Sequence, residues 1–466
     1  MTQKVEEIIP SAKRTVSSLR DVGYDTPRAI ADLIDNSIAA DATHVDITIH
    51  FDGQRSWIRV ADDGTGMDGA TLLEAMRYGS ERKYADADLG KFGFGLKTAS
   101  TSQCRKVTVA SRRALQYARM EVRCLDLSHI EKTNRWQVLV LEAENRPDYV
   151  IEPLLEHTGT VVVWEDLDRV LEYKDPWGEW ARRKLLSLAE DVDVHLGMVF
   201  HRFLAGEVPG KRLQITVNTS RVEPWDPFCR SETKTEIIPQ KDLLVSGDGE
   251  TGIVRVQPYV LPRQNEFSND AAWRAASGPA NWNRQQGFYV YRAYRMIQSG
   301  GWNRLRTSDE HTKLARVSIE FFPGLDAVFG INITKAHATL PQDLRDQLEP
   351  VVSVVARRAD QRYRSAGPKG TGGHVPRSGG NHRPPAPSRG NPPSGAGRPE
   401  GYGRTVNGSQ SSDSGTETPR DAQRSEAAPR QALEDAASKA GEEQALEKII
   451  GALQDANPQV AHDLGW

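Results

Sequence analysis

Apolar positions between Pro27 and Ala42 recur at helical spacing. At about 100° per residue, Ile30, Leu33, Ile34, Ser37 and Ile38 share one face. Pro27 suits the first turn of such a helix, where its missing N–H costs nothing. Asp32 and Asn36 lie one turn apart on roughly the opposite face, so they can aim a carboxylate and an amide at one point. The alternative is a plain amphipathic helix with a solvated polar side. Period-two alternation then takes over. "HVDITIHF" and "SWIRVADD" read as two strands joined by a turn at Asp52-Gly53. "KVTVASR", "YARMEVRCLDL", "RWQVLVLEA" and "GTVVVWEDL" continue an antiparallel sheet. With helices before and between the strands, residues 1–170 form an α+β region.

Residues 175–364 repeat the mixture. A helix, "WARRKLLSLAEDVDVHLGMVFHRFL", opens this region, and strands follow at "LQITVNT", "GIVRVQPYVL", "GFYVYRAYRMI" and "ARVSIEFF". The helix "PQDLRDQLEPVVSVVARRADQRYR" closes it, giving a second α+β domain. From 365 to 430 the chain is rich in Gly, Pro, Ser and Arg and has few aliphatics to bury, so disorder is expected there. Residues 431–466, with "ALEDAASKAGEEQALEKIIGALQDA", read as an isolated amphipathic helix.

Composition narrows the class. The 466 residues suffice for more than one domain, and 26% charged residues with a net charge of −3 give no strong global field for or against nucleic acid. Cys104, Cys124 and Cys229 are too scattered for a disulfide framework or a zinc site. The N-terminus has no apolar stretch of the signal-peptide kind, and no run approaches the roughly 20 residues of a membrane span. A cytoplasmic protein with no membrane partner is expected.

The chemistry lies in the glycine motifs. Gly64, Gly66 and Gly69 make a GxGxxG after a strand, but the second buried strand with its acidic end that a dinucleotide fold needs is missing. No GxxxxGK[ST] is present either. A different arrangement fits. A strand ends in Asp62-Asp63-Gly64-Thr65-Gly66, where a carboxylate can accept from the exocyclic amine of adenine and the glycines can close around a planar ring. Further on, Gly90, Gly93 and Gly95 run with Leu96 and Lys97 into a helical stretch, and backbone N–H groups there suit phosphates. The segment between, "YGSERKYADAD", is polar and long, as a lid is.

"DLIDNS", "DDGTG", "GKFGFGLK" and "TGT" at Thr158–Thr160, in that order, resemble the GHKL ATPases. These are DNA gyrase, the ninety-kilodalton heat-shock chaperones, histidine kinases and the mismatch-repair protein MutL. "SLRDVGYDTPRAIADLIDNSIAADATHVDITI" is similar to the MutL and microrchidia branch, and the resemblance covers essentially residues 15–170. It implies a Bergerat-type ATP-binding sandwich, a mixed sheet covered by helices. It also implies roles for single residues. Asn36 holds Mg²⁺ on the ATP phosphates, and Asp62 reads the adenine amine with Thr160 close by. Gly64, Gly66 and Met67 line the base pocket. Gly90, Gly93, Gly95 and Leu96 wrap the phosphates with Lys97 nearby, and Ser80 sits in the lid. Asp32 stands where the family's water-activating residue is usually Glu, so its shorter side chain implies slow turnover. Residues 175–364 resemble the transducer domain of the gyrase–MutL–microrchidia group, with "FGINITKAHATLP" offering Lys335 to the γ-phosphate.

The resemblance implies an ATP- and Mg²⁺-dependent, dimerising clamp. Its DNA client, or a DNA-processing partner protein, follows from family analogy alone. A chaperone-like ATPase and a non-hydrolysing ATP-binding scaffold are the alternatives. A histidine kinase needs a phospho-acceptor His ahead of the ATP domain, and no His precedes Asp32.

Overall fold

The computed structural model describes residues 8–21, 23–79, 95–114, 119–171, 175–247, 250–331 and 338–365, with Glu447, Ile450, Gly451 and Gln454. Both sheets belong to the first of two compact units, Met1–Gly372, the second being Gly373–Trp466. The expected linker lies outside the described residues beyond Ser365. So does the expected C-terminal helix, apart from the four positions named, which are helical.

The first sheet is laid down by α1 (Ala12–Arg20), α2 (Thr26–Ala39), β1 (His44–His50), β2 (Trp57–Asp62), α3 (Gly69–Ala75), α4 (Gly95–Thr101), β3 (Lys106–Arg112), β4 (Glu121–Asp126), α5 (Leu127–Thr133), β5 (Leu139–Val140), α6 (Asp148–Ile151) and β6 (Gly159–Glu165). The long α7 (Glu179–Val199) and the single turn α8 (His201–Leu204) then lead to β7 (Gln214–Val217) and β8 (Ser220–Arg221). Among the described residues the strand order is β5-β4-β3-β6-β2-β1-β7-β8, antiparallel except for the parallel β1–β7 pair. The alternation read in the sequence decides which side chains point inward. Val45, Ile47 and Ile49 of β1 are buried while their neighbours are less so. Helices α2, α4 and α7 cover one face, where Ile30, Ile34, Ile47, Val109 and Leu196 share a core. On the other face α6 and the turn after it bring Val150 and Leu154 against Ala110, Val122 and Val161. This is the helix-covered mixed sheet that the resemblance implies.

Helix α2 begins as its sequence requires. The Asp25 side chain accepts from the Arg28 N–H at 2.9 Å, and Pro27 stands in the first turn. Its apolar face is buried at Ile30, Leu33, Ile34, Ser37 and Ile38, as expected, but Asp32 and Asp35 are buried too, and only Asn36 of the polar trio is exposed. α7 packs against α2.

That packing also shifts the expected domain boundary near 175. β7 pairs with β1, with Val45 opposite Ile215, and α7 shares the first core. The segment from Glu179 to Arg221 therefore completes the first sheet rather than opening the second. "LQITVNT" announces a strand, but nothing local to it says whose edge it completes.

The second sheet takes β9 (Glu236–Ile237), β10 (Lys241–Gly247), β11 (Glu250–Val260), α9 (Asp270–Ala276), α10 (Asn281–Gln285), β12 (Gly287–Arg292), β13 (Arg295–Ser299), β14 (Ala315–Phe321) and α11 (Gln342–Arg364). The order is β10-β11-β14-β12-β13, with β9 joined to β11. β14, with a neighbouring strand on both sides, is buried at every position, including its polar Arg316, Ser318 and Glu320. α11 closes this core with Leu344, Leu348, Val352 and Val355.

"GFYVYRAYRMI", one strand pattern in the sequence, is a hairpin in the structure. Its turn has Ala293 at φ 47° and Tyr294 at φ 70°. Positive φ at both central residues is the type I′ arrangement that matches strand twist, and Asn-Gly normally fills it. Ala293 is buried in the first core, and Tyr294 packs beside it with its ring edge-on to Phe322 at 5.7 Å.

Cys104, Cys124 and Cys229 are buried and free, with burial pushing the Cys124 and Cys229 thiols up to about 11. Among the described residues no helix is long and apolar enough to cross a membrane.

Candidate functional site

The end of β2 forms the floor of the site. Asp62 Oδ2 accepts from the Ser37 hydroxyl at 2.8 Å, and Oδ1 accepts from the Gly64 and Thr160 N–H groups at 3.0 and 3.1 Å. Burial pushes this carboxyl up to about 6, against the pull of those three hydrogen bonds. Two strands and α2 thus converge on one side chain. Thr160 lies opposite Asp62 across the β2–β6 pair, and the Thr65 N–H caps the Ala40 carbonyl at the end of α2 at 2.9 Å.

The glycines around this carboxylate are there for contact. A Cβ on Gly159, at φ 141°, would lie 1.8 Å from the Asp62 carbonyl oxygen. One on Gly66, at φ 64°, would lie 2.1 Å from the Arg112 carbonyl oxygen, and one on Gly64 would lie 2.8 Å from that of Ala40. Ser111 ties the floor together. Its hydroxyl donates to the Gly159 carbonyl at 2.9 Å, lies 3.0 Å from the Thr160 hydroxyl, and receives the Met67 N–H at 2.8 Å. Asp62, Gly64, Gly66, Met67 and Thr160 accordingly lie together at the end of β2.

A second constellation lies on the inner side of α2. The Tyr24 hydroxyl donates to Asp32 Oδ2 at 2.7 Å. Arg295, the first residue of β13, donates from Nη2 to Asp32 Oδ1 at 3.2 Å and from Nε to Asp35 Oδ1 at 2.9 Å. The side chains of Arg295, Asp32 and Asp35 are 5%, 2% and 0% exposed. Burial raises the Tyr24 phenol above its ordinary range, and the Asp32 charge adds to the effect. His195 of α7 stands close to the same guanidinium. Burial, and then the Arg295 charge, push it down to about 4, so it is neutral at pH 7.

Asn36 is exposed one turn beyond Asp32, next to the Ser37 that holds Asp62. Gly95 and Leu96 begin α4, where a Cβ on Gly95 would meet open space. Lys97 is 3% exposed, and its ammonium donates to the Ala75 carbonyl at the end of α3 at 3.0 Å. Burial pushes it down to about 8. It is turned toward protein, where the sequence reading puts it beside phosphates. Ser80, Gly90, Gly93 and Lys335 lie outside the described residues.

Sequence reasoning did not single out Tyr24, Ser37, Ser111 or Arg295. The Ser of "DNS" is the one signal that was available, since it sits next to Asn36 on the face turned to β2. Among the described residues no three His, Cys, Asp or Glu side chains gather as a metal cage. The exposed Asn36 amide fits Mg²⁺ of another kind, held by one or two protein oxygens with substrate phosphates and water completing the shell.

Comparison with known proteins agrees with this geometry. Residues 24–157 match the family described as histidine kinase-, DNA gyrase B-, and HSP90-like ATPase. The DNA mismatch repair protein MutL of Gemmatimonas aurantiaca is 37% identical over 92 residues, covering 19% of this chain and 15% of that protein. The MutL proteins of Shigella boydii and Escherichia coli O157:H7 are each 29% identical over 197 residues, covering 41% of this chain and 27% of theirs. The match runs from just before α2 to just before β6, the part of the chain whose motifs resemble the GHKL ATPases. The chain spans 15% to 27% of the length of these curated relatives.

Proposed function

We propose that this chain binds ATP with Mg²⁺, hydrolyses it slowly, and uses the nucleotide to close a dimeric clamp in a DNA transaction. The observation that carries the reading is the Asp62 floor. A carboxylate held by Ser37, Gly64 and Thr160 next to backbone that tolerates no side chain is suited to accept from an adenine amine while the ring lies against the glycines. Asn36, exposed beside Ser37, would hold Mg²⁺ together with the ATP phosphates. Mg²⁺ bound there supplies positive charge to the phosphate oxygens. Asp32, one turn back, is the carboxylate for activating water.

Gly90, Gly93 and Gly95 are proposed to wrap the phosphates with Lys97 behind them, and Ser80 to belong to the lid. Lys335 is proposed to reach the γ-phosphate from the second α+β region, which acts as the transducer. The DNA role rests on the similarity to proteins named for DNA mismatch repair, which covers part of each chain.

Titration calorimetry and phosphate-release assays with and without DNA test the reading. Asn36→Ala is expected to weaken Mg²⁺-ATP binding by about tenfold or more, roughly the worth of one good charge-assisted contact. Its melting temperature should stay unchanged because the side chain is exposed. Wild-type affinity in the folded variant removes Asn36 from the site. Turnover indifferent to DNA removes the DNA role and leaves the nucleotide site.

A further inference from the structure

We propose that Arg295 is the positioning residue for the water-activating carboxylate, brought to α2 from the second sheet by the β12–β13 hairpin. The inference rests on the ATP-site reading and deepens it. Three observations meet at this residue.

The first is the fork itself. Asp32 and Asp35 are three residues apart on one helix and both are buried, so their charges repel unless a cation lies between them. The Arg295 guanidinium lies there, with one nitrogen on each carboxylate. Its planar donors fix direction as well as charge, which an ammonium does not. Tyr24 holds the other Asp32 oxygen, so the carboxylate is oriented from two sides.

The second is the turn that presents Arg295. Ala293 and Tyr294 both adopt positive φ, where L side chains are strained. Such strain persists only where surrounding packing imposes it, and it gathers at functional positions. The packing is present: Ala293 is buried in the core of the first sheet, and Tyr294 lies between that core and Phe322.

The third is the partner across the hairpin. Arg292, directly opposite Arg295, forks onto Asp326 at 2.6 and 2.7 Å, and both side chains are buried. One arginine thus fastens the hairpin to its own sheet and the other fastens it to α2. A shift of the second sheet against the first reaches Asp32 through a short, stiff path. A base must stay within hydrogen-bond reach of its water, and small misplacements cost rate rather than affinity.

The test compares the wild type with Arg295→Lys, which keeps the charge and loses the fork. Steady-state phosphate release gives kcat and KM, and calorimetry gives ADP affinity. The expected result is a kcat lowered by about 10- to 100-fold, with KM and ADP affinity unchanged. A folded variant with wild-type kcat overturns the proposal. So does one whose kcat and affinities fall together, the mark of a structural staple. Should Arg295→Lys not fold, Arg295→Gln combined with Asp35→Asn removes one charge of each sign and is expected to show the same split. Failure of both to fold makes Arg295 a staple and overturns the positioning role. A wild-type protein that binds ATP without hydrolysing it overturns the positioning role and leaves the nucleotide site standing. One that binds no ATP overturns both.

Discussion

Asp62 is a carboxyl whose protonation belongs to the folded site. Burial pushes it from 3.8 up to about 6, so the folded state holds its proton more tightly than the unfolded chain. The stability this contributes is fully present below pH about 3.8 and is lost as pH rises through about 6. A shift of this size corresponds to about 3 kcal/mol at most. Wild-type stability relative to Asp62→Asn should therefore decline between pH 4 and 7 by up to that amount, as denaturant titrations at several pH values would show. Nucleotide acts in the opposite sense. An adenine amine donates to the ionised form, so ADP affinity should fall as pH drops below about 6 in the wild type. Asp62→Asn, whose side chain cannot titrate, supplies the phosphate-only background. Parallel pH profiles in the two proteins would remove Asp62 from base recognition. Asp62 itself was legible in the sequence because a carboxylate at a strand end followed by glycines is a local pattern. The three groups that hold it come from residues 37, 64 and 160, and of these only the glycine is within reach of that pattern.

At the scale of elements, the close approach of β6 to β2 depends on Gly159. A methyl group there would lie 1.8 Å from the Asp62 carbonyl oxygen, at a φ that side chains rarely adopt. The backbone cannot yield without moving Thr160 away from Asp62. Gly159→Ala should cost about 2 kcal/mol or more, from strain and a disturbed strand pair together. ADP affinity should fall with stability, because strand pairing and base floor are one structure. Thermal unfolding and calorimetry on the same variant check this, and a stable Gly159→Ala that has lost only ADP binding would show that the floor can move without the sheet. Strand positions were legible because the patterns are local: β1, β2, β3, β6 and β14 fall within the patterns read for them, and β11 begins two residues ahead of its own. The hairpin within "GFYVYRAYRMI" was not, because Ala-Tyr carries no turn signal and packing alone holds its positive φ values. The burial of Asp32 and Asp35 was hidden for a similar reason. Helical periodicity tells which residues share a face and says nothing of a second partner on the other side.

For the whole first unit, the two α+β regions are less separable than a boundary near 175 implies. β7 returns after α7 to complete the sheet beside β1, and α7 buries Leu188, Val192 and Leu196 in the same core as α2. A fragment ending at Val170 would leave the β1 edge bare and that apolar face open, an invitation to aggregate. It is expected to be insoluble or oligomeric by size-exclusion chromatography, while one ending at Val222 should recover a monomer-sized peak. A well-behaved monomer ending at Val170 would mean that β7 and α7 are accessories to the sheet. Parallel pairing between β1 and β7 was beyond the reach of the sequence, since more than the whole of β2 to β6 lies between them.

The Arg295 fork joins residues 260 and 263 positions apart in the chain. Positions 32, 35 and 295 are therefore expected to vary together. A lone change that removes the charge at 295 leaves two negative charges in the interior, and a lone change at either aspartate leaves the guanidinium with one carboxylate fewer. The arrangement is expected to be given up more readily by paired changes in distant codons than by single ones.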